Sequence, residues 1–111
     1  MKLAEVIEGY GTLGQFTGKP MNAKLSYMVA KNLRILEPEV KGFDEARNAL
    51  VTKYSVDGVF PDEIKGQADA EYQALMETEV TVAVHKIKVA DFGSLEVTPV
   101  QMLALDFIVE E

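Results

Sequence analysis

The chain has 111 residues, 48% of them apolar and 26% charged, with no cysteine, one histidine and a net charge of −7. This is the composition of a single globular domain, 1–111, with one modest core and little room for an enzyme-sized cavity. It excludes disulfides, thiolate nucleophiles, cysteine-based zinc sites and histidine clusters, and no apolar run approaches the roughly 18 residues of a membrane span.

Residues 2–16 place Leu3, Val6, Ile7, Tyr10 and Leu13 at helical spacing. The pattern predicts a short amphipathic helix, weakened by Gly9, Gly11 and Gly14, that ends near Tyr10 or runs on to Phe16. No signal-peptide pattern is present, so the expected location is cytosolic. Residues 17–20 read as a connector, and the next helix is expected to open between Pro20 and Asn22, where proline suits a first turn and asparagine an N-cap.

The longest helical signal covers 21–54. Leu25, Val29, Leu33, Leu36, Val40, Phe43, Ala46, Leu50 and Tyr54 recur at steps of three and four, one helix face kept in phase for about eight turns. Pro38 removes an N–H and crowds the carbonyl of Arg34, at about 3 kcal/mol in a helix interior, and Gly42 adds about 1 kcal/mol. The unbroken phase favours a kinked helix over two separate ones. Unbent, such a helix would be about 50 Å long, whereas a compact domain of this size is roughly 35 Å across. The stripe therefore calls for either a sharp bend at Pro38 or a second chain. Leu36, Val40, Phe43 and Leu50 are the expected self-association face, and a homo-oligomer is the expected state.

Beyond Tyr54, residues Asp57, Gly58, Pro61 and Gly66 are turn formers, and Val56, Val59 and Phe60 suggest a short strand or hairpin about Asp57-Gly58. A third helix is expected where Ala68, Tyr72, Leu75 and Met76 share a face. Residues 79–89 are β-branched and alternating, the clearest strand in the chain, with a swap of the apolar phase after Lys86 that suggests a bulge. Its partner is residues 56–60, residues 94–97 or the same strand of another subunit. Residues 98–109 read as a closing helix with Thr98 as N-cap, Pro99 in the first turn and Gln101 completing a capping box. Glu110 and Glu111 fall at the negative end of its dipole, where the last turn should fray. The fold class is thus α+β and mainly helical, with a long helix packed on short ones and a small sheet containing 79–89.

Charge is divided unevenly. Residues 1–54 hold 8 Lys/Arg against 6 Asp/Glu; residues 55–111 hold 3 against 12. No acid lies between Glu8 and Glu37, so Lys19, Lys24, Lys31 and Arg34 form a basic patch. The two halves are expected to attract each other within or between subunits. The acidic half argues against a nucleic-acid partner.

Four motifs invite chemistry and fail on context. Gly9-Tyr10-Gly11-Thr12-Leu13-Gly14 matches the dinucleotide fingerprint, but no strand precedes it and no acidic ribose ligand follows. Asp91-Phe92-Gly93 matches a kinase metal-binding tripeptide in a chain without the other kinase motifs. His85 lacks a second histidine or cysteine to share a metal. The carboxylates Asp57, Asp62, Glu63, Asp69, Glu71, Glu77 and Glu79 lack calcium-loop spacing. No catalytic residue, metal site or cofactor is expected.

The order of segments carries a resemblance. KLSYMVAKNLR at 24–34 is followed by EARNALVTKY at 45–54, an acidic segment, TEVTV at 78–82 and TPVQMLALDFIVEE at 98–111. This layout resembles a group of small phage and prophage proteins of Gram-positive bacteria, over nearly the whole chain. The resemblance implies a phage-derived protein in a bacterial cytoplasm and carries over no catalytic residue. The expected function is a non-enzymatic accessory or assembly protein with a phage or host protein as partner. The alternative is a small inhibitor or ligand-sequestering protein directed at a host defence or nucleic-acid system.

Overall fold

One helix sets the length of the molecule. In this computed structural model, which describes residues 1–110, α2 (Ala23–Tyr54) runs unbroken for 32 residues. At about 1.5 Å per residue it spans roughly 48 Å, and the molecule measures 51 Å by 26 Å by 24 Å. Helix α2 is therefore neither broken nor sharply bent at Pro38. The proline and Arg34, whose carbonyl loses its donor, are both exposed, so water can satisfy the orphaned group. At its start, the Asn22 side chain accepts the Leu25 N–H at 2.8 Å, the capping bond its position suggests.

The first half of α2 belongs to the core. Helix α1 (Leu3–Gln15) packs on it, burying Leu3, Val6 and Leu13. Val6 and Leu13 join Phe16, Leu25, Met28, Val29, Leu36, Ile87, Phe92, Leu105 and Ile108 in one apolar cluster. Gly9 lies in the middle of α1 and admits the Phe107 ring, which would stand 2.5 Å from an added Cβ.

The second half of α2 belongs to an arm. The chain leaves it through a tight hairpin in which Val56 and Val59 exchange backbone hydrogen bonds of 2.8 and 3.0 Å. Asp57 and Gly58 carry φ of 52° and 79°, the two positive values of a type I′ turn. Helix α3 (Asp62–Met76) then packs back on α2. It opens six residues ahead of the apolar stretch that announces it, because Asp62 and Glu63 suit a helix N-terminus and Gly66 meets nothing that a side chain would strike. Only Phe43 of α2 and Ala68 of α3 are fully buried in this arm.

After α3 the chain returns to the body. Val80, Val82 and Val84 are half-buried against the core while Thr81 and Ala83 are exposed, the alternation expected of a strand. Ladder pairing is nevertheless confined to β1 (Ile87–Lys88), which pairs in parallel with β2 (Val109–Glu110). At the other end Val80 bonds Met1, with its N–H 2.8 Å from the Met1 carbonyl. The partner of β1 is thus none of the segments expected, but the tail that the sequence assigns to a closing helix. That helix, α4 (Pro99–Ala104), keeps the Thr98–Gln101 capping box and stops early. A turn over 105–108 lets both Leu105 and Ile108 reach the core with no exposure, and it delivers Val109 and Glu110 to β1. Glu111, expected at a frayed helix end, lies outside the described residues.

Candidate functional site

The four residues of the expected self-association face do not share one environment. Leu36 is wholly buried in the body and Phe43 nearly so, while Val40 and Leu50 are half-buried. Phe43 meets Tyr72 of α3 edge-on, with ring centroids 6.2 Å apart at 65°. Leu50 lies in a shallow groove of about 250 Å³ with Arg47, Val51, Phe60, Ala68, Asp69 and Tyr72. The chain's own α3 therefore covers much of the stripe, and the apolar surface left open on the arm is Val51, Val56, Val59 and part of Tyr72.

A second apolar surface lies on the body, where Val89, α4 and β2 meet. Val89, Pro99, Met102, Leu103, Asp106 and Val109 line a groove of about 430 Å³. Leu103 and the neighbouring Val100 are 77% and 71% exposed. The sequence places both on the apolar side of the closing helix; the turn after Ala104 diverts that side to Leu105 and Ile108.

The charged groups sort into paired and unpaired sets. Lys24 reaches Asp91 at 3.1 Å; this ion pair and the Lys88 N–H hold the Asp91 carboxyl below its usual range. Asp91 thus anchors the 3₁₀ turn Val89–Phe92 to the start of α2, and Phe92 fills the core. On the arm Lys53 reaches Glu71 at 3.3 Å, and the Tyr54 hydroxyl, then Lys53, hold Glu71 low. Among the described residues Lys19, Lys31, Arg34 and Lys41 enter no ion pair, and neither do Asp57, Asp62, Glu63, Asp69 and Glu77. Lys19 and Lys31 instead lie over the Phe16 and Tyr27 rings, at 5.6 and 5.9 Å. Of the attraction expected between the basic first half and the acidic second, the molecule realises two pairs between side chains, Lys24–Asp91 and Lys53–Glu71.

The motifs that suggest chemistry take structural places. The glycine-rich stretch lies inside α1, with no strand before it and no helix N-terminus after it, so it offers no phosphate cradle. His85 is tied through its backbone to Asn32. Among the described residues no three His, Asp or Glu side chains come together to hold a metal ion. No described helix is long and apolar enough to cross a membrane.

Sequence reasoning missed Asn32, which is wholly buried on α2 with both ends of its amide bonded to His85. Its signal was present: Asn32 falls seven residues after Leu25 and four before Leu36, a polar residue in the apolar stripe.

Compared with protein-family models, with curated proteins and with solved structures, the chain finds no match in any of the three.

Proposed function

We propose that this chain is a phage-derived, non-enzymatic accessory or assembly protein that acts in a bacterial cytoplasm through protein–protein contacts and self-association. The observation that carries the reading is the arm. A compact chain of this length has a radius of gyration of about 13 Å, and this one has 16.8 Å. The excess comes from α2, whose second half projects with α3 and encloses almost no core. A segment that neither builds the core nor lines a deep cavity is suited to reach another molecule, and it exposes Val51, Val56, Val59 and Tyr72. The phage origin rests on the sequence resemblance, and the non-enzymatic character on the lone His85 and the absence of cysteine.

A second reading, an inhibitor or sequestering protein aimed at a host system, is favoured by one feature. The unpaired acids Asp62, Glu63, Asp69 and Glu77 all belong to α3 or its end, and such a surface can mask a basic partner. Purification of the tagged chain from phage-infected cells separates the two. Identified virion or assembly proteins support the first reading, and an identified host nuclease or signalling enzyme supports the second. Recovery of neither, together with a monomer in light scattering at every concentration, would remove the basis of both.

A further inference from the structure

The two unpaired charge sets form two helix faces of opposite sign and equal length. On α2, Tyr27, Lys31, Arg34, Pro38 and Lys41 follow one another at steps of four and three, the spacing of a single face. This face lies opposite the buried stripe of Leu25, Met28, Asn32, Leu36 and Phe43. It carries three cations free of ion pairs among the described residues and a tyrosine that is 58% exposed, with Glu37 at its edge. On α3, Glu63, Gly66, Ala70, Gln73 and Glu77 follow at steps of three and four, flanked by Asp62. All six are exposed, on the side away from the buried Ala68, whereas Asp69 borders the groove towards α2. Each face runs over 14 residue steps, about 21 Å of helix.

These two faces cannot meet within one molecule. Each lies opposite the side on which α2 and α3 pack, so the faces look away from each other, the basic one centred on the body half of α2 and the acidic one on the arm. Any partner that covers either must come from outside.

We infer that the partner is a second copy of this chain: the acidic outer face of α3 in one copy lies along the basic face of α2 in the next. This rests on the proposed self-association and names its surface. Charge complementarity selects the occupant, since the acidic surface carries three unpaired acids with no base among its six residues, and the other face carries three unpaired cations. Laid parallel in register, Lys41 comes opposite Glu77, Glu37 opposite the neutral Gln73, Arg34 opposite Ala70, Ala30 opposite Gly66 and Tyr27 opposite Glu63. The small residues at 30, 66 and 70 allow the helices to approach closely. Because the faces point to opposite sides of the rod, each copy offers one to each of two neighbours. The contact is heterologous, and it builds staggered arrays rather than a closed pair.

The test is the mass of the intact protein by light scattering, with two variants on exposed or half-exposed positions. Wild type should exceed its 12.2 kDa monomer mass, grow with concentration, and fall back as salt shortens the screening length from roughly 10 Å at 0.1 M to about 3 Å at 1 M. Lys31→Glu with Arg34→Glu makes both faces acidic; Glu63→Lys with Glu77→Lys makes both basic. Each variant alone should keep its helical circular dichroism and lose association at least about tenfold, a shift of about 1.4 kcal/mol. An equimolar mixture should associate again, because each acidic face then finds a basic one. Rescue by mixing also guards against a variant that merely misfolds. Variants that associate as wild type does would overturn the pairing and leave self-association standing. Wild type that stays monomeric overturns both, and if it also retains a DNA duplex at low salt, the basic face belongs to nucleic acid.

Discussion

Asn32 and His85 are joined by two hydrogen bonds. Asn32 Nδ2 donates to the His85 carbonyl at 2.8 Å, and the His85 N–H donates to Asn32 Oδ1 at 2.7 Å. One side chain on α2 thus stands in for a neighbouring strand, satisfying both backbone groups of a residue just before β1. Replacing Asn32 by Ala leaves a donor and an acceptor without partners in a half-buried place. A loss of about 2–6 kcal/mol is expected, at roughly 1–3 kcal/mol per orphaned group. Urea denaturation should show a lower midpoint; a change under about 0.5 kcal/mol would mean the clamp contributes nothing.

Glycines in the helices should respond with opposite signs. Gly9→Ala drives a methyl group into the Phe107 ring and should cost about 1–3 kcal/mol, as overpacking does. Gly11→Ala, Gly42→Ala and Gly66→Ala enter open space and should each add up to about 1 kcal/mol. Thermal melts of the four single variants check the division, and a stabilised Gly9→Ala protein would contradict the packing of α1 on the tail.

Pro38→Ala should stabilise the chain. It restores an N–H to the Arg34 carbonyl and removes the ring from an unbroken helix, with a gain of about 1–3 kcal/mol. Melting temperature is the readout. Should the variant instead be less stable, Pro38 would be making a contact that its exposure does not reveal.

Asp91 makes stability depend on acid. Its folded-state pKa lies below the ordinary value of 3.8, so its ion pair with Lys24 contributes fully above that value. The contribution fades as pH falls through 3.8 towards the folded-state pKa, where the unfolded chain binds the proton first. Asp91→Asn should lower stability at neutral pH and flatten the acid limb of a plot of urea midpoint against pH. An acid limb identical to wild type would place the sensitivity elsewhere, for example at Glu71, whose pKa is also lowered.

The arm should open before the body. Between residues 44 and 76 only Ala68 is buried, whereas α1 and the first half of α2 supply most of the core. Amides of 44–76 should exchange faster than those of 3–36 by one or more orders of magnitude, a difference of more than about 1.4 kcal/mol in local opening. Uniform protection along α2 would show that the long helix opens as one unit.

Features that depend on local spacing were legible in the chain. The apolar phase from Leu25 to Tyr54 favoured one kinked helix over two, because a loop at Pro38 would normally reset it, and left the bend at Pro38 open. Asn22, Thr98 and Gln101 marked helix starts, because their side chains bond backbone groups only three residues away. Asp57-Gly58 marked the hairpin, because few residue pairs tolerate two positive φ values. The imbalance of charge between the halves was equally plain.

The remaining features depend on partners far apart in the chain. The alternation of 79–89 specified an extended segment but could not say where its backbone bonds go. They go to Met1, to Asn32 and to Ile108, none of which is adjacent in sequence. The tail looked helical through Val109, yet burying both Leu105 and Ile108 favoured a turn and a short parallel pairing. Of the expected association face, Leu36 is covered by the core of the body and Phe43 by α3, which folds back along α2. The charges left unpaired are those on the outward faces, and which charges face outward is settled only when the helices pack.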